Sequence, residues 1–556
     1  MCQLAEDGST VGPPVPAHDL PAVVACLERP GEVRWVLPSA ARAYPALIRA
    51  GVRLARCHDV GLTERLLTAR DGTPAGPAEP ADAGAAGREA ARRVIRAVGD
   101  SPPAGTGQLP FDEPGAGGAV AASQNLMADL IAAHASQLRR IAADPLGPKF
   151  ALLSAAESAG GLAAVEMTAA GLPWRADIHD ELLTELLGPR PAATPGSPLR
   201  PARLTELTAQ ISTELGALRP VNLDSPAQLL KALAASGIRV PSTRVSVLRA
   251  VDHPVIPLLL RYKELTRLHT ANGWSWIDTW IADGRFRPEY LVGGVVSGRW
   301  ATRGGGALQI PKVLRQAVVA DPGWTLVAAD AAQLEPRILA ALAGDHGFAQ
   351  AAASGDVYTA VAQAIGVDRD KAKVALLSAM YGGTGGDGGQ SLALLRRRFP
   401  QASAYVEAAA RAGEEGRVVR SVLGRTCPPP SAGWLAMTSD AADPEQDRDP
   451  GAGRALRARG RFTRNFVVQA SAADWALVLL AALRTTLTGL GTGQQRPELV
   501  FFQHDEVLVH CPSGLAAEVV AAVETAAQHA TRLVFGATAV TFPMTVAVVD
   551  RYSDAK

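Results

Sequence analysis

Two acidic sites and two evenly spaced polar stripes are the parts of this sequence best suited to chemistry. Asp330 closes the apolar run WTLVAAD, and the AAQLEPRILAALAG that follows has the apolar spacing of a helix. A carboxylate at the solvent end of a buried strand suits a cation; the competing reading is a helix N-cap, a position Asp favours. In QHDEVLVH, residues His504, Asp505 and Glu506 fill a corner between two β-branched or aromatic runs, where a hairpin turn is expected. Asp is common in turns. A plain two-residue turn would favour Asn-Gly or Asp-Gly, so a His and two acids in one corner point beyond a turn.

The first stripe is Arg369, Lys373, Leu377 and Tyr381 in RDKAKVALLSAMYGG, recurring at every fourth residue. On a helix such positions share one slowly drifting face, about 18 Å long at a rise of 1.5 Å per residue. Cations in the N-terminal half oppose the helix dipole, but together with the free N–H groups of the helix end they make an anion site. A triphosphate on Arg369 and Lys373, with a base or sugar near Tyr381, fits that length. The alternative is a solvated basic face above a buried Tyr. Arg461, Asn465 and Gln469 repeat the device in RFTRNFVVQASAADW. Long donor side chains reach the minor-groove acceptors that all base pairs display in nearly equivalent places. This stripe would therefore test the shape of a base pair without reading its sequence, the alternative being a polar outer helix face.

The elements that must position these residues are legible in outline. Residues 33–70 alternate strand-like runs, Val33 to Leu37 and Val52 to Ala55, with a helical pattern, which predicts a small α/β unit. Residues 71–120 dissolve into Gly, Ala, Pro and acids and read as a linker or loop. From Ser123 helical periodicity dominates for over a hundred residues, clearest in LMADLIAAHASQLRRI and DELLTELL. Apolar runs return at Leu291 to Val296, Trp324 to Ala329, Leu499 to Phe502, Val507 to Val509 and Phe542 to Val549, predicting a sheet assembled from distant segments. The stretch 428–460 reads as a surface excursion. GTGGDG at 383–388 follows a helix instead of a strand, so it is a joint and not a dinucleotide loop. The commonest NTPase, zinc-protease and α/β-hydrolase signatures do not occur.

Composition bounds the possibilities further. The 556 residues allow several domains, and 47% hydrophobic content rules out wholesale disorder. With 54 Gly and 40 Pro but no triplet repeat, a fibrous chain is excluded. Net charge is +1, so charge alone nominates no partner. Lysine is scarce, which makes Lys373 stand out. The five cysteines are scattered and form no C-x-x-C pair, against a disulfide scaffold or zinc ribbon and in favour of a reducing compartment. MCQLAEDGST is not a secretory signal, and the longest apolar stretch, Ala472 to Leu483, is too short for a bilayer. A soluble cytoplasmic protein is expected.

Taken in order, these segments resemble the polymerase region of family A DNA polymerases, the bacterial DNA polymerase I group. SGRWAT (297–302), LQIP (308–311) and RQAV (315–318) resemble the stretch before motif A, and ADAAQLEPR resembles motif A. R-x-x-x-K-x-x-x-L-x-x-x-YGG resembles motif B, LGR (423–425) the segment after the fingers, and RFTRNFVVQASAAD the helix before motif C. QHDE resembles motif C. Upstream, AESAGGLAAVEMTAAGLPW resembles the start of the thumb and VNLDSPAQLLKAL the family's stretch of similar pattern, so the likeness covers about residues 150–556.

The resemblance implies an α+β multidomain, right-hand fold: a thumb at 149–265, a palm with an antiparallel sheet at 266–356 and 457–556, and helical fingers at 357–456. It implies that Asp330 and Asp505 hold two Mg²⁺ ions, with Glu506 beside them and Lys373 in the catalytic set. Arg369, Lys373, Leu377, Tyr381, Gln333 and Glu335 would meet the deoxynucleoside triphosphate, Glu335 by crowding the sugar 2′ position. Arg299, Arg461, Asn465, Gln469 and His504 would contact primed template DNA. The implied protein is a monomeric, template-directed DNA polymerase of repair or replication, bacterial, cytoplasmic and nucleoid-associated, with no membrane partner. Three positions depart from the family pattern: Leu377 where an aromatic is usual, Ala331 for Tyr and Ser378 for Gly. Residues 1–148 resemble a shortened, degenerate 3′–5′ exonuclease-like domain that lacks the early D-x-E and keeps Asp129 beside Asn125, so no proofreading is expected. The alternatives are a catalytically weak DNA-binding remnant, an active bifunctional exonuclease/polymerase, a single-subunit RNA polymerase, which Glu335 disfavours, and a metabolic enzyme using the Gly-rich loop.

Overall fold

A computed structural model of the chain describes residues 1–28, 32–72, 83–99, 118–191, 200–217, 221–382, 388–438, 450–493 and 495–555. The chain forms two compact units, each built from separated segments. The first comprises Met1–Ala170, Glu289–Ala301 and Val327–Val548; the second comprises Gly171–Pro288, Thr302–Leu326 and Val549–Lys556.

The centre of the first unit is a four-stranded sheet ordered Met544–Val549, Trp324–Ala331, Glu506–Pro512, Glu498–Gln503. In its two inner strands every residue from Thr325 to Ala329 and from Glu506 to Cys511 is buried, so both faces need cover. Two helices that bury most of their circumference supply much of it. Gly147–Ala170 has buried residues on every side, which requires close approach: a Cβ on Gly160 would stand 2.8 Å from Leu477. Pro450–Thr488, about 58 Å long at 1.5 Å per residue, is packed through its apolar half. An 18-residue window in each of these helices is apolar and long enough to cross a membrane, contrary to the expectation drawn from Ala472 to Leu483, and 72% and 83% of those windows are buried inside the protein. Burial against other elements accounts for their apolar character.

Near the chain start, Trp35–Leu37 pairs in parallel with Cys57–Asp59, with the helix Ala40–Arg49 between them. The second strand thus lies at 57–59, not at 52–55 as the sequence predicted. The carbonyls of Leu54 and Ala55 instead accept from buried Arg484, and the Leu54 N–H donates to Tyr44 Oη at 3.0 Å. A ladder would compete for those groups.

Two further expectations are corrected. Within the predicted 71–120 loop, Ala83–Gly99 is a helix, because Ala90, Ala91 and Val94 bury a stripe against Leu130 and Ala133; residues 73–82 and 100–117 lie outside the described residues. Within the predicted 428–460 excursion, Pro450 onward already belongs to the long helix, and the Trp434 indole N–H donates to the carbonyl of Ala455 at 3.2 Å. Residues 439–449, and 383–387 of the Gly-rich joint, are outside the described set.

The second unit is mostly helical, with Ala176–Leu187, Ala202–Glu214, Pro226–Ala235 and Val255–Asn272, and a small sheet of Leu172–Pro173, Arg285–Phe286 and Ile281–Ala282. Trp174, His179, Trp276 and Phe286 cluster with ring centroids 4.8–5.9 Å apart. The compact units cut across the segment 149–265 read as the thumb: its residues up to Ala170, on the helix Gly147–Ala170, belong to the first unit, and those from Gly171 on to the second.

Candidate active site

Every site residue singled out in the sequence lies in the first unit. Asp330 is the penultimate residue of the strand Trp324–Ala331, half-buried, and it caps no helix: the helix Leu334–Ala343 is preceded by Gln333 in the left-handed region at φ 54°. The N-cap reading is therefore set aside. Asp505 lies in the turn between two antiparallel strands, where Glu506 faces Gln503, and His504 takes φ 60°. The inner strands place the two aspartates together: the Ala331 N–H donates to the Asp505 carbonyl at 3.1 Å. Glu506 is 6% exposed and starts the buried strand. Among the described residues no group of three or more His, Cys, Asp and Glu side chains converges as a metal cage. What the site offers a cation is the pair of half-buried, hard-oxygen carboxylates.

The motif-B stripe falls on the helix Arg369–Tyr381 as predicted, started by Asp368, whose carboxylate accepts from the Lys371 N–H at 2.8 Å. Arg369 and Lys373 are exposed, and both cations stand over the Tyr358 ring, at 5.5 and 5.8 Å from its centroid. Arg369 Nε also donates to Asp356 at 2.9 Å. Asp356 caps the helix Val357–Ile365 and accepts from Gln333 Nε2 at 3.0 Å. Burial would raise its carboxyl, but the Thr359 N–H, Arg369 and Gln333 hold it at about 2. Gln333 has both ends of its amide engaged at that helix N-terminus, since its oxygen accepts from the Val357 N–H at 2.8 Å.

At the other end of the stripe Tyr381 donates its hydroxyl to Glu335, whose second carboxylate oxygen accepts from Arg299. Burial and the Glu335 charge push the Tyr381 phenol up, with Arg299 and Gln469 opposing. His504 is pulled down by burial and then by Arg299. The second stripe runs alongside. Asn465, with its amide nitrogen toward the fingers-like helix, donates to the Met380 carbonyl at 2.9 Å, and Arg461 packs its stem against Gly382. Leu377 is half-buried against the core.

Sequence reasoning missed Asp356, Tyr358, Arg337 and Arg425. Asp356 had a readable signal, a Gly-Asp pair before an apolar helical run. Tyr358 had none, and Arg337 and Arg425 close the quoted segments ADAAQLEPR and LGR without any sign of their roles, which are set by the partners they meet. Arg337, fully buried, donates to the carbonyls of Ala332, Ser354 and Gly355 at 2.8–3.0 Å.

Comparison with known proteins bears on this arrangement. The sequence profile of DNA polymerase family A matches residues 200–552. A thermostable DNA polymerase I of Thermus thermophilus is 26% identical over 357 residues, which are 56% of this chain and 40% of that protein. DNA polymerase I of Chloroflexus aurantiacus is 26% identical over 325 residues, 52% of this chain and 32% of that protein. The chain thus aligns with 40% or less of the length of these relatives. In fold it is similar to the POL domain of Pol1 from M. smegmatis, solved in complex with DNA primer-template and dNTP, with a TM-score of 0.66 at 20% identity, over 92% of this chain and 84% of that one.

Proposed function

The chain belongs to DNA polymerase family A, and on that premise we propose that it is a DNA-directed DNA polymerase, extending a primer by deoxyribonucleotides copied from a template. The observation that carries this reading is the adjacency of Asp330, near the end of one inner strand, and Asp505, in the turn that opens the other, tied by the backbone hydrogen bond from the Ala331 N–H to the Asp505 carbonyl at 3.1 Å, within the same unit as the Arg369–Tyr381 stripe.

Asp330 and Asp505 would hold two Mg²⁺ ions, a fit supported by their hard-oxygen donors at the open end of a buried sheet. Bound there, the ions supply activation of the primer hydroxyl and neutralisation of the departing pyrophosphate. The chain's own side chains do the rest. Lys373 and Arg369 hold the triphosphate, and Arg369 exchanges its Asp356 partner for a phosphate oxygen. Tyr381, fixed by Glu335, lies beside the nascent pair, and Glu335 fills the space a 2′-hydroxyl would need. Arg299, Arg461, Asn465, Gln469 and His504 meet primer and template on the groove side. Asp129, the carboxylate kept from the exonuclease-like pattern, is held by Arg93 at 2.6 Å, which supports a first domain without proofreading. The protein acts as a monomer in repair or replication, in the bacterial cytoplasm at the nucleoid.

The test is primer extension by the purified chain with Mg²⁺ and dNTPs, beside Asp330→Asn and Asp505→Asn. Extension that either substitution lowers by about a thousandfold or more supports the reading. A folded wild-type chain that binds but never extends primed DNA refutes it in favour of a DNA-binding remnant. Mg²⁺-dependent shortening of the primer without nucleotides would establish a bifunctional enzyme.

A further inference from the structure

Arg425 is 6% exposed and sits between two carboxylates that are themselves buried. Its Nε donates to Asp474 Oδ1 at 3.1 Å and its Nη2 to Glu157 Oε2 at 2.9 Å, while its backbone N–H donates to Ser421 Oγ at 2.8 Å. The Ser421 hydroxyl in turn donates to Asp474. Three distant segments meet here: the helix Gly147–Ala170, the LGR segment and the helix Pro450–Thr488. A buried ion triad is weak as a source of stability, because desolvating three charges offsets most of their attraction. Its geometry gives it another use.

The turn 293–298 closes down on the triad. Gly293 has φ 57°, and a Cβ there would stand 2.6 Å from Glu157 Oε1. Gly298 has φ 87°, and a Cβ there would overlap Arg425 Nε and stand 2.5 Å from its Cζ. No side chain fits at either place, so the backbone of the turn rests on the ion triad. The turn is pinned by Gly298 N–H to Val295 O at 2.8 Å and Val295 N–H to Arg299 O at 3.0 Å. The next residue is Arg299, whose guanidinium holds Glu335 and, through it, Tyr381.

We infer that Arg425, clamped by Glu157 and Asp474, is a positioning residue of the active site: it seats Gly298 and thereby aims Arg299 at Glu335. Arg425 reaches the chemistry only through Arg299. The inference rests on the polymerase reading for what Arg299 does, but not for how it is held.

Two double-mutant cycles on the full chain test it. In the first, kcat/KM for dNTP incorporation is measured for Arg425→Lys, Arg299→Ala and the double variant. Each single change should lower it about tenfold, the scale of one charge-assisted hydrogen bond, and the double should fall no further than Arg299→Ala alone. Multiplying effects, or an unchanged rate in folded Arg425→Lys, would overturn the inference. Should Arg425→Lys not fold, Gly298→Ala takes its place, since it presses the turn off Arg425 while leaving all three charges of the triad present. In the second cycle, the coupling between Arg299→Ala and Glu335→Ala is read from urea unfolding, with and without Gly298→Ala. Coupling present in the natural background and lost with Gly298→Ala supports the inference, and coupling that persists refutes it. If the wild-type chain extends no primer, the polymerase reading fails and the second cycle still decides how Arg299 is held.

Discussion

Replacing Arg337 by methionine should cost the first unit about 3–5 kcal/mol, more than any single exposed ion pair could account for. The Arg337 side chain is fully buried and, among the described residues, has no carboxylate in hydrogen-bond contact; it donates to the backbone carbonyls of Ala332 at 2.9 Å, Thr541 at 3.0 Å, Ser354 at 3.0 Å, Gly355 at 2.8 Å and Ala352 at 2.5 Å. Burial pulls its pKa below the usual arginine value, partly countered by Asp356. Methionine keeps much of the stem's packing but leaves five carbonyls without this donor. Each bond from a charged donor is worth about 1.5–3 kcal/mol net, and the gross sum is reduced by several kcal/mol because the cation no longer has to be desolvated. The remainder is a factor of about a thousand in the folding equilibrium. Urea unfolding followed by circular dichroism measures it. Because Ser354 and Gly355 lead into Asp356, which holds Arg369, KM for dNTP should rise in the same variant. A loss under about 1 kcal/mol would refute the argument, since it would mean that water or a second donor reaches those carbonyls once the guanidinium is gone.

Three further outcomes are expected. Glu335→Ala should raise the ratio of ribonucleotide to deoxyribonucleotide incorporation by at least tenfold, read by single-nucleotide addition; an unchanged ratio would remove Glu335 from sugar discrimination. Leu377→Phe should lower KM for dNTP by a few-fold, the worth of one aromatic contact of about 0.5–1.5 kcal/mol, and a raised KM would mean that the half-buried Leu377 site has no room for a ring. Burial, aided by its neighbour His134, drives the His58 pKa down to about 4, and burial with Arg34 does the same for His134. Both are therefore neutral in the folded chain at pH 5, whereas the unfolded chain protonates them below about pH 6.5. Stability from this pair is full above pH 7 and falls as pH drops toward 4, by about 2–4 kcal/mol between pH 7 and 5. Urea unfolding at the two pH values checks it, and a His134→Gln variant with an undiminished drop would show that other groups are responsible.

What could be read in advance was what depends on near neighbours in the chain. The stripe Arg369, Lys373, Leu377 and Tyr381 lies on one helix because a helix brings every fourth residue to one face, whatever surrounds it. The turn at His504 and Asp505 is where two strand-like runs must reverse. The linker readings at 71–120 and 428–460 were overturned for the complementary reason at 83–99, from 118 and from 450. Low-complexity composition hid Ala90 and Val94, and also the arginine-rich start of the long helix, whose order comes from what they pack against.

The candidate site depended on both levels. Its residue types were in the sequence: two carboxylates, two cations, a tyrosine and a row of long donors. Their assembly was not. Arg299, Glu335 and Tyr381 span 82 positions and meet through side chains, and the strand at 57–59 displaced the one expected at 52–55 because Arg484, over 400 residues away, claims the Leu54 and Ala55 carbonyls. Sequence by itself determined which groups could hold a cation, a triphosphate and a base pair, since those are properties of side chains and local periodicity. Only the tertiary structure decided that Arg337 and Arg425 are braces among 48 chemically identical arginines, because an arginine's role is set by the acceptors around its guanidinium, and those arrive from distant parts of the chain.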